Sequence, residues 1–445
     1  MKKNSTRDSI ILGFTIFAIF FGAGNLIFPP QIGLVSGSNV LAGVLGMTLT
    51  GILLPMMAVA AVGNMGSGLQ DITKHINSWW HILYMVLGLL IILFGTIPRC
   101  GGVAYEIGIL GIFPNLPAWS KWAFLIVFFG LSYYLVNNKS EVVDKIGKYL
   151  TPFLLVFLII IVILAFVNPI GKASGGSVEN PFANALLTAY NTGDVGTGLV
   201  CAGIFLSAIK KKGYIEEKER KNVLYKAITI AFVLLFIIYG GMCYMGATGN
   251  ALFSADTDNT TLLVGLVRKL AGYGGVVILS LAIIIACFTT AVGMIATSAE
   301  WIEELSKGKW NYKVIAAVVT TIIFLMASTG VNFVLKVSGP IFAFTYPMSI
   351  IMTILGVFKK SVPNDGAWKG SIYMATLLST YDAFSVARAN GLISLQTPAL
   401  DNLIMKIPLA GYGFAWIVPS VLGFIVGAVI WKSMGKHDVG VEERI

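Results

Sequence analysis

Twelve times along this chain an apolar run long enough to cross a bilayer is closed off by polar residues. A bilayer core needs about 20 apolar residues per helix. Runs near 9–34, 39–63, 82–112, 120–137, 147–167 and 181–208 reach that length, some only if polar breaks are allowed. Six more lie near 222–248, 274–302, 313–330, 333–357, 367–390 and 411–432, and punctuation such as Asn137-Asn138-Lys139 and 171–176 separates neighbours. Only 12% of residues are charged and 56% are hydrophobic, whereas soluble domains carry about 25% charged residues. A soluble enzyme, a disordered chain and a disulfide scaffold are therefore excluded as readings. The expectation is an all-α polytopic membrane protein in which residues 1–445 form one membrane domain.

The basic residues suggest an orientation, because Lys and Arg concentrate on the cytoplasmic side of a membrane. With the N-terminus cytoplasmic, 23 of the 31 basic residues fall on that side, from Lys2, Lys3 and Arg7 to Lys432, Lys436 and Arg444. The outer loops hold five (Lys121, Lys172, Arg268, Lys269, Lys406), and Arg99, Lys336 and Arg388 fall within spans. Both termini are then expected inside. The net charge of +10 is topological and requires no nucleic-acid partner. The 210–221 segment interleaves Glu with Lys and reads as a solvated loop of the same kind. Cys100, Cys201, Cys243 and Cys287 sit in apolar runs and read as reduced, small hydrophobes. With three histidines and no metal cluster or nucleophile–base constellation, the chain does not read as an enzyme.

Two spans look broken. The first carries Phe20-Phe21-Gly22-Ala23-Gly24-Asn25 at mid-span, followed by Pro29-Pro30. The sixth carries Tyr190-Asn191-Thr192-Gly193-Asp194-Val195-Gly196-Thr197-Gly198, three glycines beside a mid-membrane acid. Unwound backbone inside a bilayer is tolerated only where it lines a protein cavity. Breaks in spans 1 and 6 are the first members of two groups of five, the pattern of an inverted five-plus-five repeat with a midplane substrate site. The expected division is 9–167 for the first repeat, 181–357 for the second and 367–432 for two additional C-terminal helices.

Gly22-Ala23-Gly24-Asn25-Leu26-Ile27-Phe28-Pro29-Pro30 resembles the first-helix signature of the bacterial branched-chain amino acid:cation symporters, the LIVCS or BrnQ-type family. The resemblance continues through Ile97-Pro98-Arg99 with Tyr105-Glu106, Thr192 with Asp194, Thr289-Thr290-Ala291-Val292-Gly293 with Ala299-Glu300, and Tyr346-Pro347. It covers nearly the whole chain, and the first-helix and span-8 motifs are the more specific. Two departures stand out. The family usually reads Pro-Arg-Thr-Ala where this chain has Pro98-Arg99-Cys100-Gly101, and Tyr-x-Thr-Met-Asp-Ala where it has Tyr190 to Val195 with Gly at 193.

The resemblance implies a LeuT-type fold and a multi-pass protein of the bacterial plasma (inner) membrane. It also implies import of a neutral, hydrophobic amino acid (Leu, Ile or Val) with sodium as coupling ion and no organic cofactor. A zwitterion at mid-membrane must exchange its hydration for protein dipoles. The amides of Ala23 and Gly24 are candidates for the carboxylate, with Phe20, Gly22 and Asn25 around them. Carbonyls of Tyr190, Asn191, Thr192 and Gly193 are candidates for the ammonium, with Asp194 adding charge, and Tyr190 and Phe20 are candidate pocket walls. Aligning the first-helix break with the LeuT-type fold puts the carbonyls of Ala18, Phe21 and Ala286 and the hydroxyls of Thr289 and Thr290 toward sodium. Two adjacent helical threonines also commonly bond back to their own turn. A titratable Asp194 leaves proton coupling, or exchange of another small neutral amino acid, as an alternative, and a passive channel or facilitator is the alternative of another class.

The remaining charges within the spans are expected elsewhere. Arg99 and Glu106, seven apart, should share roughly one helix face and are candidate gate charges. Glu300 is expected at an interface, Lys336 to snorkel, and Asp382 and Arg388 to be structural.

Overall fold

The computed structural model describes residues 4–66, 68–137, 142–436 and 438. The topology-marking Lys2, Lys3, Lys139 and Arg444 lie outside them. In chain order the helices are α1 (Ser5–Phe20), α2 (Ala23–Ser36), α3 (Val40–Thr48), α4 (Leu54–Met65), α5 (Leu69–Thr73), α6 (Trp80–Ile91), α7 (Ile97–Val103), α8 (Trp119–Asn137) and α9 (Val142–Val167). They continue with α10 (Pro181–Thr188), α11 (Asp194–Lys211), α12 (Glu217–Thr248), α13 (Asn259–Leu305), α14 (Tyr312–Ser328), α15 (Val331–Val357), α16 (Asp365–Ala389), α17 (Pro398–Ile404) and α18 (Ile417–Ser433). Among the described residues, six helices are long and apolar enough to cross a membrane, and the pair Pro181–Thr192 and Asp194–Lys211, bent by 45°, adds a seventh. The molecule is all-helical and multi-pass.

Several spans are continuous only through π-helical turns, at Leu49–Leu53, Ile92–Thr96 and Ala104–Ile109. The first two run into Pro55 and Pro98, which cannot donate to the carbonyl four residues back, so the wider turn relieves the clash. The third begins between Arg99 and Glu106. A wider turn rotates the helix face, and the two side chains consequently meet different surroundings rather than one. Arg99 is buried among the broken spans, while Glu106 accepts from the Val331 amide (3.2 Å) and Thr260 Oγ1 (2.9 Å).

The stretch 259–273, outside every expected span, is helical: α13 starts at Asn259 and kinks at Gly272, whose φ of 63° only glycine adopts readily. Asp258 caps it, accepting from the Thr260 and Thr261 amides. α16 and α18 meet glycine to glycine. A Cβ on Gly370 would lie 2.0 Å from the Gly423 carbonyl oxygen, and one on Gly427 would lie 2.2 Å from that of Gly366. Small residues four apart let two membrane helices approach to backbone contact.

The other charges expected within spans are placed as follows. Arg388 is structural, making a two-pronged ion pair with Asp401 at 2.9 and 3.0 Å, and that guanidinium holds the Asp401 carboxyl below the usual carboxylate range. Glu300 and Lys336 are exposed. At the start of α1, Asp8 accepts from Lys212 Nζ (2.7 Å) and Tyr214 OH (2.9 Å), which joins the ends of the two broken spans. The Cys100 and Cys287 thiols hydrogen-bond across α7 and α13.

Candidate functional site

The first break has simple causes. α1 closes with the Phe21 amide on the Phe17 carbonyl (2.8 Å). Gly22 is then extended (φ −100°, ψ −177°) and serves as N-cap of α2 without a side chain to cap it. The first amides of a helix have no acceptor within it and carry the positive end of its dipole. At the second break Gly193 lies in the left-handed region (φ 77°, ψ 6°) between a 3₁₀ turn, Ala189–Thr192, and α11. A Cβ there would sit 2.9 Å from the Phe342 ring. Glycine at 193 thus serves the geometry of the break. Gly193→Ala is expected to cost about 1–2 kcal/mol in the left-handed backbone alone and so to lower the thermal midpoint. A midpoint equal to wild type would mean that the break does not depend on this conformation.

Both breaks open on one cavity of about 720 Å³. Of the residues expected to bind substrate, Phe20, Gly22, Gly24, Asn25, Thr192 and Asp194 line it; of those expected to bind sodium, Ala18, Thr289 and Thr290 do. Phe21, Asn191, Gly193 and Ala286 are not on its wall. Ala23 opens α2 beside it. Tyr190 faces the other way, into an apolar cleft of about 570 Å³ with Phe414 and Trp416. Its ring stacks on Tyr346 at 4.4 Å, and the Tyr346 hydroxyl donates to the Ala189 carbonyl (3.4 Å). Tyr190 is therefore not a wall of the central cavity and instead braces the second break from behind.

On the cavity wall, one amide links both breaks. Asn25 Nδ2 lies 2.6 Å from Asp194 Oδ2, 2.5 Å from the Phe20 carbonyl and 2.5 Å from the Tyr239 hydroxyl. Asn25, Asp194 and Tyr239 are all buried, none more than 5% exposed. Asp194 opens α11, where the helix dipole favours negative charge. Tyr239, on α12, carries no signal in the sequence that would mark it, since one tyrosine in an apolar span is common.

Arg99, a candidate gate charge by its position in span 3, lies on the wall of this same cavity. The side chain is 2% exposed, and Nη1 donates to the Asn191 carbonyl at 2.7 Å. The guanidinium lies over the Phe28 ring at 5.5 Å and against the backbone of Gly24. The carbonyls expected to receive an ammonium are partly engaged: Tyr190's accepts from the Gly193 amide and Gly193's from Thr197. The Thr289 and Thr290 hydroxyls both donate to the Ala286 carbonyl (3.0 and 2.9 Å). That carbonyl is thereby committed, whereas the hydroxyl lone pairs of both threonines remain available to a cation.

Two broken helices that open on one largely apolar cavity, inside an all-helical bundle, define a membrane transporter of the LeuT-type fold. Solved structures agree at the level of fold. MhsT in complex with L-phenylalanine matches with a TM-score of 0.56 and 15% identity, over 96% of this chain and 98% of that one. The inward-facing conformation of Mhp1 matches with a TM-score of 0.57 and 13% identity, over 95% and 91%. The chain belongs to the branched-chain amino acid transport protein family, whose model matches residues 5–434. These are membrane transporters, not enzymes. The branched-chain amino acid permease BraB of Bacillus subtilis is 31% identical over 440 residues, covering 96% of each chain. The permease BrnQ of the same organism is 32% identical over 440 residues, covering 96% of this chain and 98% of its own.

Proposed function

We propose that this protein imports a branched-chain amino acid (Leu, Ile or Val) together with sodium across the plasma membrane of a bacterium, by alternating access. The observation that carries the reading is the single cavity shared by both helix breaks and by Thr289 and Thr290. The amides at the start of α2 receive the carboxylate, and Asp194 with the carbonyls of the second break receives the ammonium. Sodium is held by the carbonyls of Ala18 and Phe21 and the hydroxyls of Thr289 and Thr290, with the Ala286 carbonyl orienting both hydroxyls. An ion there bridges α1 to α13 and organises the unwound segment, so sodium and amino acid raise each other's affinity.

The proposed topology is twelve spans with both termini cytoplasmic, repeats over 9–167 and 181–357, and two further helices over 367–432. In that orientation the cavity faces inward, because its wall extends through Ile11, Thr15, Cys201, Ile204 and Thr297 toward the N-terminus and Lys210 to Lys212. Loading from outside and release inside then follow from rocking one helix group against the other. A second reading, proton coupling, is favoured by one observation: a buried carboxylate, Asp194, tied by Asn25 to Tyr239. The threonines distinguish the two. Thr290→Ala is expected to raise the sodium concentration for half-maximal uptake about tenfold, a loss near 1.4 kcal/mol. An unchanged sodium dependence would count against this ion site.

A further inference from the structure

Arg99 and Asp194 are both buried, both line the central cavity, and neither has an ion-pair partner among the described residues. A buried charge is ordinarily paired, because desolvation costs several kcal/mol per ion. The two charges attract each other without a direct ion pair, so one cavity wall presents a positive and a negative group side by side. Arg99 Nε is buried with no hydrogen-bond partner, although Nη1 is fixed by the Asn191 carbonyl. Moreover, the guanidinium sits directly on the first turn of α2: a Cβ on Gly24 would lie 2.7 Å from Nη2. Helix-terminal amides and a planar guanidinium thus converge on one spot, a combination suited to a carboxylate.

We infer that Arg99 binds the α-carboxylate of the transported amino acid, beside Asp194 at the ammonium, so that the cavity selects zwitterions by both charges. This assignment rests on the amino-acid reading above and adds to it a residue and a rule of substrate choice. Gly24 is glycine here because any side chain would push the guanidinium away from the helix end. Molecules lacking one pole leave one buried charge uncompensated, and the site rejects them. Leucinamide and leucinol lack the carboxylate, and 4-methylpentanoate lacks the ammonium.

The test is competition against labelled leucine by leucine, leucinamide and 4-methylpentanoate, in wild type and in Arg99→Gln and Arg99→Lys. Wild type should prefer leucine to leucinamide by about 100-fold or more, the scale of one charge-assisted contact to a buried group. In Arg99→Gln leucine should weaken by about that factor, leucinamide by less than about threefold, and the preference should collapse. Arg99→Lys should keep part of it, since the charge remains and the planar fork is lost. A folded Arg99→Gln protein that keeps the wild-type preference overturns the assignment. So does wild type that takes leucinamide as well as leucine, a result that needs no variant. Wild type that binds no branched-chain amino acid overturns the functional reading itself.

Discussion

Asp194→Asn should insert and fold normally yet lose branched-chain amino acid uptake by about 100-fold or more. The replacement is isosteric, and its Oδ1 can still accept from Asn25, so the link between the two breaks survives. What disappears is the negative charge opposite the substrate ammonium. If Asp194 were merely a satisfied structural acid, asparagine would serve as well and uptake would persist. Exchange across a membrane with no imposed gradient separates the remaining possibilities. A variant that still exchanges labelled for unlabelled leucine, but no longer concentrates it, would assign Asp194 to proton coupling; loss of both activities assigns it to substrate binding.

The second large effect is expected at Asn25. Its amide nitrogen has the Phe20 carbonyl, Asp194 and the Tyr239 hydroxyl within hydrogen-bond distance, and all three residues are buried. Asn25→Ala removes their shared donor, and a buried group left without its partner costs about 1–3 kcal/mol, more when it is charged. The variant should therefore lose about 2–4 kcal/mol of stability, seen as a lower thermal midpoint in detergent, together with most of its uptake. This pattern differs from that of Asp194→Asn, in which activity falls and the midpoint holds. Equal midpoints for Asn25→Ala and wild type would mean that the amide does not bind the two broken spans together.

Local chemistry decides which parts of this architecture are legible in the amino-acid sequence. Gly22 and Gly24 around one residue, and Gly193 beside Asp194, announce backbone that cannot be a plain helix. Both breaks lie where those residues stand. The threonine pair at 289–290 faces the cavity of the first break because a helix of known period carries it there. Arg99 is not legible in the same way. Its seven-residue spacing from Glu106 suggests a shared face, but a π-helical turn at Ala104–Ile109 breaks the 3.6-residue period. Tyr190 departs from its expected place for a related reason: a 3₁₀ turn rotates its ring away from the cavity and onto Tyr346. The Asn25–Tyr239 contact joins residues 214 apart, and no local pattern encodes it.

The central claim, sodium-driven accumulation of a branched-chain amino acid, is tested most directly in proteoliposomes holding the purified protein. Labelled leucine, isoleucine and valine are supplied outside while sodium and proton gradients are imposed separately. The account predicts uptake that rises above the external concentration under an inward sodium gradient and does not do so under a proton gradient alone. Accumulation driven only by protons would contradict the sodium site at Thr289 and Thr290. Uptake that never exceeds equilibrium under either gradient would contradict coupled transport altogether.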